Sequence, residues 1–450
     1  MKNSKFKEVS IITFITLICN FVFLFLIFSY AYALDVRKTV LENGLIVLHS
    51  EEHSLPIVMI TLLVRASPLN EPKDKAGLAN LTAELLTGGT KHRESKDINE
   101  EIEFLGADLY SSAESDYTTI SLSVLKKDVN TGFEIFSDIL LNPVFPQHEI
   151  EREKELIKGS LRQREEDPSF LAERAFKREV FGEHPYGRLV EGSPETIENI
   201  KREDLLRFHS EYFLPNNTIF SVVGDISEEE LNSLIKRYLN DWKKADFPLE
   251  TAQGITEKKM KKVVKIDKDL TQANIILGHI GISRDNPDYY AVSVMNYILG
   301  GGGSSSRLMQ SIREEMGLAY DVQSFFFSKK EKGFFQADVQ TKNESANSVI
   351  TEIVKQMEKI RKEYVSEEEL SDAKSYLIGS FPLRVDTSRK IADFLASVEF
   401  YNLGLDYIEK YPRYINSVTK EDVLRVAKKY LDPKHYVLVV VANQQKAVLK

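Results

Sequence analysis

Residues 49–53 read His-Ser-Glu-Glu-His. In that order two imidazoles one helical turn apart hold a zinc ion, and the carboxylate between them activates a metal-bound water. The chemistry would be hydrolysis assisted by a Lewis acid and a general base. It requires a helix, because only the helical i, i+4 spacing puts both rings on one face. The flanking residues do not supply one: Asn43-Gly44 is a turn signal, Leu45 to Leu48 is a short β-rich run, and Pro56 begins another strand soon after. In an extended chain His49 and His53 stand roughly 13 Å apart and cannot share one ion. The expectation for this stretch is a solvated hairpin turn between two strands.

Two other stretches invite chemistry. Gly300, Gly301, Gly302 and Gly303, followed by Ser304 to Ser306, resemble a phosphate cradle, but no Gly-Lys-Ser/Thr ending and no flanking βαβ pattern accompanies them. His184, in His-Pro-Tyr-Gly-Arg, reads as a loop-packing residue rather than a ligand.

These residues sit in a chain of 450 with 42% hydrophobic and 28% charged content, enough for two or more domains with proper cores. A formal net charge of -9 and the lack of any Lys/Arg-rich run exclude bulk neutralisation of phosphates, so nucleic acid is not an expected partner. Lys2, Lys5 and Lys7 precede an apolar run from Val9 to Tyr30, and Ala31-Tyr32-Ala33 is a small-x-small cleavage signal. Residues 1–33 therefore read as a signal peptide; if they stay uncleaved, the run is long enough to tether the chain to a membrane. The single cysteine, Cys19, lies inside that run. The exported part then has no thiol, which suits an oxidising, periplasmic or otherwise extracytoplasmic compartment.

A repeat sets the domain plan. IENIKREDLLRFHSEYFLPNNTIFSVVGD at 197–225 aligns without a gap with INSVTKEDVLRVAKKYLDPKHYVLVVVAN at 415–443, at a constant offset of 433 − 215 = 218. Each copy predicts an amphipathic helix opened by acidic residues and closed by proline, followed by an apolar strand at Thr218 to Val223 or Tyr436 to Val441. More loosely, strand 56–65 with helix 77–87 corresponds to strand 272–280 with helix 287–299. The expected class is α+β: two homologous tandem domains, each an antiparallel-rich sheet layered with helices, with a hairpin at 318–341. Expected boundaries are 1–33 for the signal peptide, 34–242 and 263–450 for the domains, and the polar stretch 243–262 for the linker.

The segments ENGLIVLHSEEHSLPIV at 42–58, KAGLANLTAELLTGGT at 75–90, EREKELIKGSLRQREEDP at 151–168, HPYGR at 184–188, YFLPNNTIFSVVGD at 212–225 and LGGGGSSSRLMQSIREEMGLAY at 299–320 carry a resemblance that covers nearly all of the mature chain. It resembles the insulinase/pitrilysin zinc-peptidase family, of the two-domain mitochondrial-processing-peptidase type, which implies a processing-peptidase or LuxS-like metallohydrolase fold. In active members the zinc motif follows Gly-Leu-Ala, so the resemblance places its five positions on Asn80, Leu81, Thr82, Ala83 and Glu84. Both histidines and the catalytic glutamate are missing. The third ligand, a glutamate seven residues after that of a Glu-Arg pair, is implied at Lys158. A Glu84–Lys158 contact is expected in place of the metal.

The family also uses an arginine and a tyrosine seven apart, which Arg313 and Tyr320 match; the resemblance implies that they hold substrate and the developing oxyanion. It implies that Gly300 to Gly303 form a flexible, substrate-facing loop. Together these features imply a non-catalytic, substrate-binding subunit of an exported heterodimeric zinc peptidase. Zinc would lie in a related partner subunit rather than in this chain. Two alternatives stay open: a structural or peptide-holding protein with no peptidase role, and an independent zinc endopeptidase using HSEEH.

Overall fold

The structure, a computed structural model, describes residues 34–248, 254–257 and 259–449. The expected signal peptide lies outside the described residues, as does part of the expected linker. Two mixed sheets organise the chain. The first contains β1 (Arg37–Val40), β2 (Ile46–Glu51), β3 (Ile57–Val64), β4 (Asp108–Ala113), β5 (Thr118–Leu125) and β6 (Thr218–Gly224), in the order β1-β2-β6-β3-β5-β4. The second contains β7 (Lys262–Asp267), β8 (Gln272–Ile280), β9 (Ala319–Phe327), β10 (Phe334–Lys342) and β11 (Val437–Ala442), in the order β7-β11-β8-β10-β9. In each sheet the last strand in sequence runs parallel to one neighbour (β6 to β2, β11 to β7) and antiparallel to the other. Apart from β1, the two sheets share one topology, so the expected pair of homologous α+β layers is present.

Helices cover one face of each sheet in the usual amphipathic way. On the first sheet, α1 (Leu78–Glu84), α2 (Val129–Leu141), α3 (Gln147–Arg164), α5 (Arg202–Tyr212) and α6 (Glu228–Tyr238) pack Leu81, Phe133, Phe136, Ile157, Leu205 and Leu231 into one core with β3 and β6. On the second, α7 (Tyr289–Asn296), α8 (Ala346–Lys362) and α10 (Lys420–Tyr430) do the same with Val292, Ile353 and Val426.

The opposite faces are covered by exchange. Every residue of β6 (TIFSVVG) and of β11 (VLVVVA) is buried, so neither strand has a face to give to water. Helix α4 (Pro168–Phe181), which follows α3 in the first half, lays Leu171, Ala172, Phe176 and Val180 on Ile276, Val437 and Val439 of the second sheet. Helix α9 (Ser388–Phe400), from the second half, lays Ala392, Leu395, Ala396 and Phe400 on Leu48, Leu63, Ile219 and Val223 of the first. Full burial of such side chains is worth roughly 1.5–3 kcal/mol each, so the exchange ties the halves together strongly. Gly278 in β8 is part of the fit: a Cβ there would stand 2.7 Å from the Phe176 ring and 2.0 Å from the Phe335 carbonyl oxygen.

The fold corrects one expectation at once. β2 and β3 are not a hairpin, because β6 lies between them and pairs with both. The predicted hairpin at 318–341 is present as β9 and β10, with Phe327 opposite Phe334.

Candidate active-site remnant

Helix α1 carries the positions at which the resemblance implies a zinc motif, and its start is held by an unusual cap. The Glu71 carboxylate accepts backbone N–H bonds from Ala79 at 2.6 Å and Gly77 at 3.1 Å. Gly77 has φ +101°, and a Cβ on it would stand 2.5 Å from the Glu191 carbonyl oxygen, so a residue with no side chain is needed there. Burial pushes the Glu71 carboxyl up to about 7, against the pull of those two amides and of Arg188.

That shift has a stability consequence. A carboxyl whose folded-state value lies above its ordinary 4.5 stabilises the fold fully below that ordinary value, and the contribution is lost as pH rises through the folded value. Glu71→Gln is therefore expected to flatten the profile. Between pH 5 and pH 8 the wild type should lose about 2–3 kcal/mol relative to the variant, measured as the difference between their urea unfolding free energies.

Opposite α1 lies α3, and between them opens a pocket of about 510 Å³ lined by Asn80 and Glu84 from α1 and by Glu153, Ile157, Ser160 and Arg164 from α3. The end of β4 adds Ala113 and Glu114, and the 190–191 loop adds Glu191, which pairs with Arg164. Asn80 is 7% exposed, Ala83 is fully buried in the core, and Glu84 stands exposed at the rim. Partial burial, and then the charge of Glu153, raise the Glu84 carboxyl above its ordinary value. Burial is also the main cause of the upward shifts of Glu114 and Glu153.

Lys158 is not in this pocket, and the expected Glu84–Lys158 contact is not formed. Its ammonium pairs with Glu155 at 3.0 Å and with Glu198, on the other side of the helix. The reason is helical phase: the pocket-facing stripe of α3 runs through 153, 157, 160, 161 and 164, and a residue five beyond Glu153 is turned about 140° away. The seven-residue spacing that faces α1 is Glu153 to Ser160. The position opposite Asn80 and Glu84 is thus Ser160. These residues do not fit zinc, since an amide, one carboxylate and a hydroxyl replace imidazoles and carboxylate. Among the described residues no three His, Cys, Asp or Glu side chains are grouped to hold a metal ion.

HSEEH is split by the fold. His49 is buried in β2 and donates from Nε2 to the Ile226 carbonyl at 2.9 Å. His53 is exposed, with Nδ1 2.6 Å from Asp225 and Nε2 3.0 Å from Glu51. Both rings already have partners.

Arg313 and Tyr320 do meet. Arg313 lies in the wide helical turn Met309–Glu315, which Gly317 closes at φ +62° before β9 begins. Its guanidinium stands 4.8 Å from the centre of the Tyr320 ring and 3.3 Å from Glu314. Tyr320 is 82% exposed, so its phenol is presented to solvent. Neither residue lines the pocket between α1 and α3. Of the glycines, Gly301 and Gly303 are exposed, whereas Gly300 is buried, with room for no Cβ between Ser324 and Leu308. That part of the expected flexible loop belongs to the core.

A cluster without any motif joins the halves. Asp116, buried in the β4–β5 turn, accepts from the Tyr186 hydroxyl, from the Tyr401 hydroxyl at 3.0 Å and from the Lys330 backbone N–H at 3.0 Å. Lys329 bonds Ser115 and lies 4.6 Å from the Tyr186 ring centre, and burial lowers its ammonium to about 8. His184 is a packing residue here: its Nδ1 accepts from the Tyr186 N–H at 3.2 Å, and burial with nearby Arg188 lowers it to about 4.

Known proteins share this architecture. Family models match residues 46–193, described as insulinase (peptidase family M16), and residues 199–377, described as the peptidase M16 inactive domain. A Helicobacter pylori protein named "Non-peptidase homolog YmxG" is 28% identical over 89% of this chain and 92% of its own length. An uncharacterized zinc protease of Rickettsia bellii is 28% identical over 75% of this chain and 81% of its own. The crystal structure of a peptidase M16 inactive domain from Pseudomonas fluorescens superimposes with a TM-score of 0.85 at 28% identity, covering 91% of this chain and 98% of that one. With both matched regions falling on the two sheets and the relatives spanning most of its length, the chain belongs to the insulinase family, peptidase family M16.

Proposed function

We propose that this chain is a non-catalytic, substrate-binding subunit of an exported heterodimeric zinc peptidase acting on peptides. One observation carries the reading: the pocket between α1 and α3 holds Asn80, Glu84 and Ser160 where active members are expected to hold their metal ligands. The relatives' names divide between zinc protease and non-peptidase homolog, and the residues of this chain favour the second. Export is inferred from residues 1–33. No described helix is long and apolar enough to cross a membrane.

Peptide binding has two physical supports. β4 is the outer strand of the first sheet, and its free backbone groups beside the pocket suit an added extended strand. Arg313 and the exposed Tyr320 offer a guanidinium and a phenol, both donors to a peptide carbonyl or to the oxyanion it becomes. The zinc of a related partner subunit would supply the Lewis acid and the activated water. This chain's part is to hold the substrate backbone and stabilise developing negative charge.

The test is reconstitution of this chain with a related, zinc-motif-bearing chain from the same source. Peptide cleavage should require both, and Tyr320→Phe should lower kcat at least tenfold with little change in KM, because the lost donor acts on the transition state. Full activity of the partner alone would overturn the reading. Stable co-purification with a non-peptidase assembly would instead favour a structural, peptide-holding role.

A further inference from the structure

We propose that Ser115 and Lys329 form a serine–lysine pair that cleaves carboxylic esters, a zinc-independent activity separate from the substrate-binding role above. The Lys329 Nζ donates to the Ser115 Oγ across the junction between the two halves. A hydroxyl in direct contact with an amine is a nucleophile beside its base: the amine, once neutral, accepts the hydroxyl proton as the oxygen attacks. The two residues stand 214 positions apart in the chain, so only the fold brings them together.

The turns that carry the pair are locked to each other. Ser115 lies in the turn between β4 and β5, where the Glu114 N–H donates to the Tyr117 carbonyl at 2.7 Å beyond the last ladder pair, Ala113 with Thr118. Lys329 lies in the turn between β9 and β10, and its carbonyl accepts from the Arg284 N–H at 2.8 Å. The residues just after the pair also meet, because the Lys330 N–H donates to Asp116 at 3.0 Å. The Glu331 N–H donates to the Tyr186 hydroxyl at 3.3 Å, and the Tyr186 ring centre lies 4.6 Å from the Lys329 ammonium. An amine positioned this way needs little reorganisation to serve Ser115.

The surroundings suit a base. Lys329 is faced by Glu114 and Asp116 from the β4–β5 turn, by Glu173 and Lys177 from α4, and by His184 and Tyr186 from the loop after α4. Burial, helped by Lys177, outweighs the pull of the three carboxylates and lowers the ammonium to about 8. A general base works best when its value lies near the working pH. Ser115 and Lys329 are both partly exposed. Glu114, next to Ser115, lines the pocket of about 510 Å³ between α1 and α3, which leaves room for an acyl group beside the pair.

In the reaction, the Ser115 Oγ bonds to the ester carbonyl carbon while its proton passes to the neutral Lys329 amine. The tetrahedral intermediate then breaks its bond to the alcohol oxygen, and the alcohol leaves with that proton. Water attacks the acyl-serine by the same route, giving its proton to Lys329, which returns one to the Ser115 Oγ as the carboxylic acid departs. The backbone N–H groups of Ser115 and Asp116 lie outside the β4–β5 ladder and are the donors adjacent in the chain to the developing oxyanion. An ester is the substrate class because an alcohol leaves more readily than an amine.

The experiment treats the full chain with a fluorophosphonate, which forms an oxygen–phosphorus bond with an activated serine and expels fluoride. Hydrolysis of p-nitrophenyl acetate is followed in parallel, and a zinc chelator is present throughout. Peptide mapping should place the phosphonyl adduct on Ser115. Hydrolysis should rise with pH through about 8 and then level off. Ser115→Ala and Lys329→Arg should each lower it by roughly tenfold or more, since arginine keeps the charge in the junction and cannot act as the base. Mapping on the wild-type chain decides the matter even if a variant fails to fold. No adduct, an adduct on another residue, acetylation of Lys329 itself, or unchanged hydrolysis in Ser115→Ala would overturn the inference. Each of those results leaves the substrate-binding reading standing, because it concerns neither peptide affinity nor partner-dependent cleavage.

Discussion

Asp116→Ala should cost about 3–5 kcal/mol of stability, the range for removing one partner of a buried charged network. The Asp116 carboxylate satisfies three donors at once: two tyrosine hydroxyls and the Lys330 N–H. Alanine leaves all three unpaired in a buried site, and each such group costs about 1–3 kcal/mol. Tyr186 belongs to the first half of the chain, whereas Lys330 and Tyr401 belong to the second, so the variant also weakens the junction between them. Urea unfolding should show a lower midpoint and a split into two transitions, because coupling is lost faster than either core. Asp116→Asn keeps the shape and one acceptor, and should fall between wild type and alanine. A loss under about 1 kcal/mol for alanine would mean that the network is replaced by water at little cost.

The second large effect concerns the register of α3. If Ser160 faces Asn80 and Glu84 across the pocket, the triple variant Asn80→His, Glu84→His, Ser160→Glu should bind zinc at least a hundredfold more tightly than the wild type. Two imidazoles at i and i+4 with an opposing carboxylate meet the ion's ligand requirement, and a fourth position stays open to water. The same two histidines combined with Lys158→Glu should show no comparable gain, because residue 158 points at Glu155 and Glu198. Isothermal titration with zinc separates the outcomes. Equal affinity in both triple variants would refute the pocket geometry described above. No peptide cleavage is expected from either, since the resemblance places the general base at position 83, which is alanine.

Much of the architecture was legible in one sequence. The 218-residue repeat became two sheets of matching strand order, because equivalent helix-strand patterns have equivalent ways to bury their apolar faces. The β9–β10 hairpin followed from local alternation. The mismatch at Asn80, Ala83 and Glu84 was visible because those positions share one short helix, where spacing alone decides which side chains share a face.

The register of α3 was not legible, because counting from Glu151 rather than Glu153 shifts the face by two residues, about 200° around a helix. Only packing against α1 selects the stripe ending in Ser160 and Arg164. The HSEEH stretch was rightly denied a helix but wrongly given a hairpin, since nothing local announces that β6, some 170 residues later, inserts between β2 and β3.

By itself, then, the sequence determined the elements and their duplication, which are properties of local period and side-chain chemistry, and it showed that Asn80, Leu81, Thr82, Ala83 and Glu84, where the resemblance places a zinc motif, include no histidine. It also marked β6 and β11 as apolar strands; the burial of both faces of each is a finding of the structure. Which helix covers them was decided only in three dimensions, where α4 and α9 cross to the opposite sheet and Asp116 gathers donors from both halves. Those pairings depend on shape and buried polarity between residues far apart in the chain, and such complementarity exists only once the two sheets are in place.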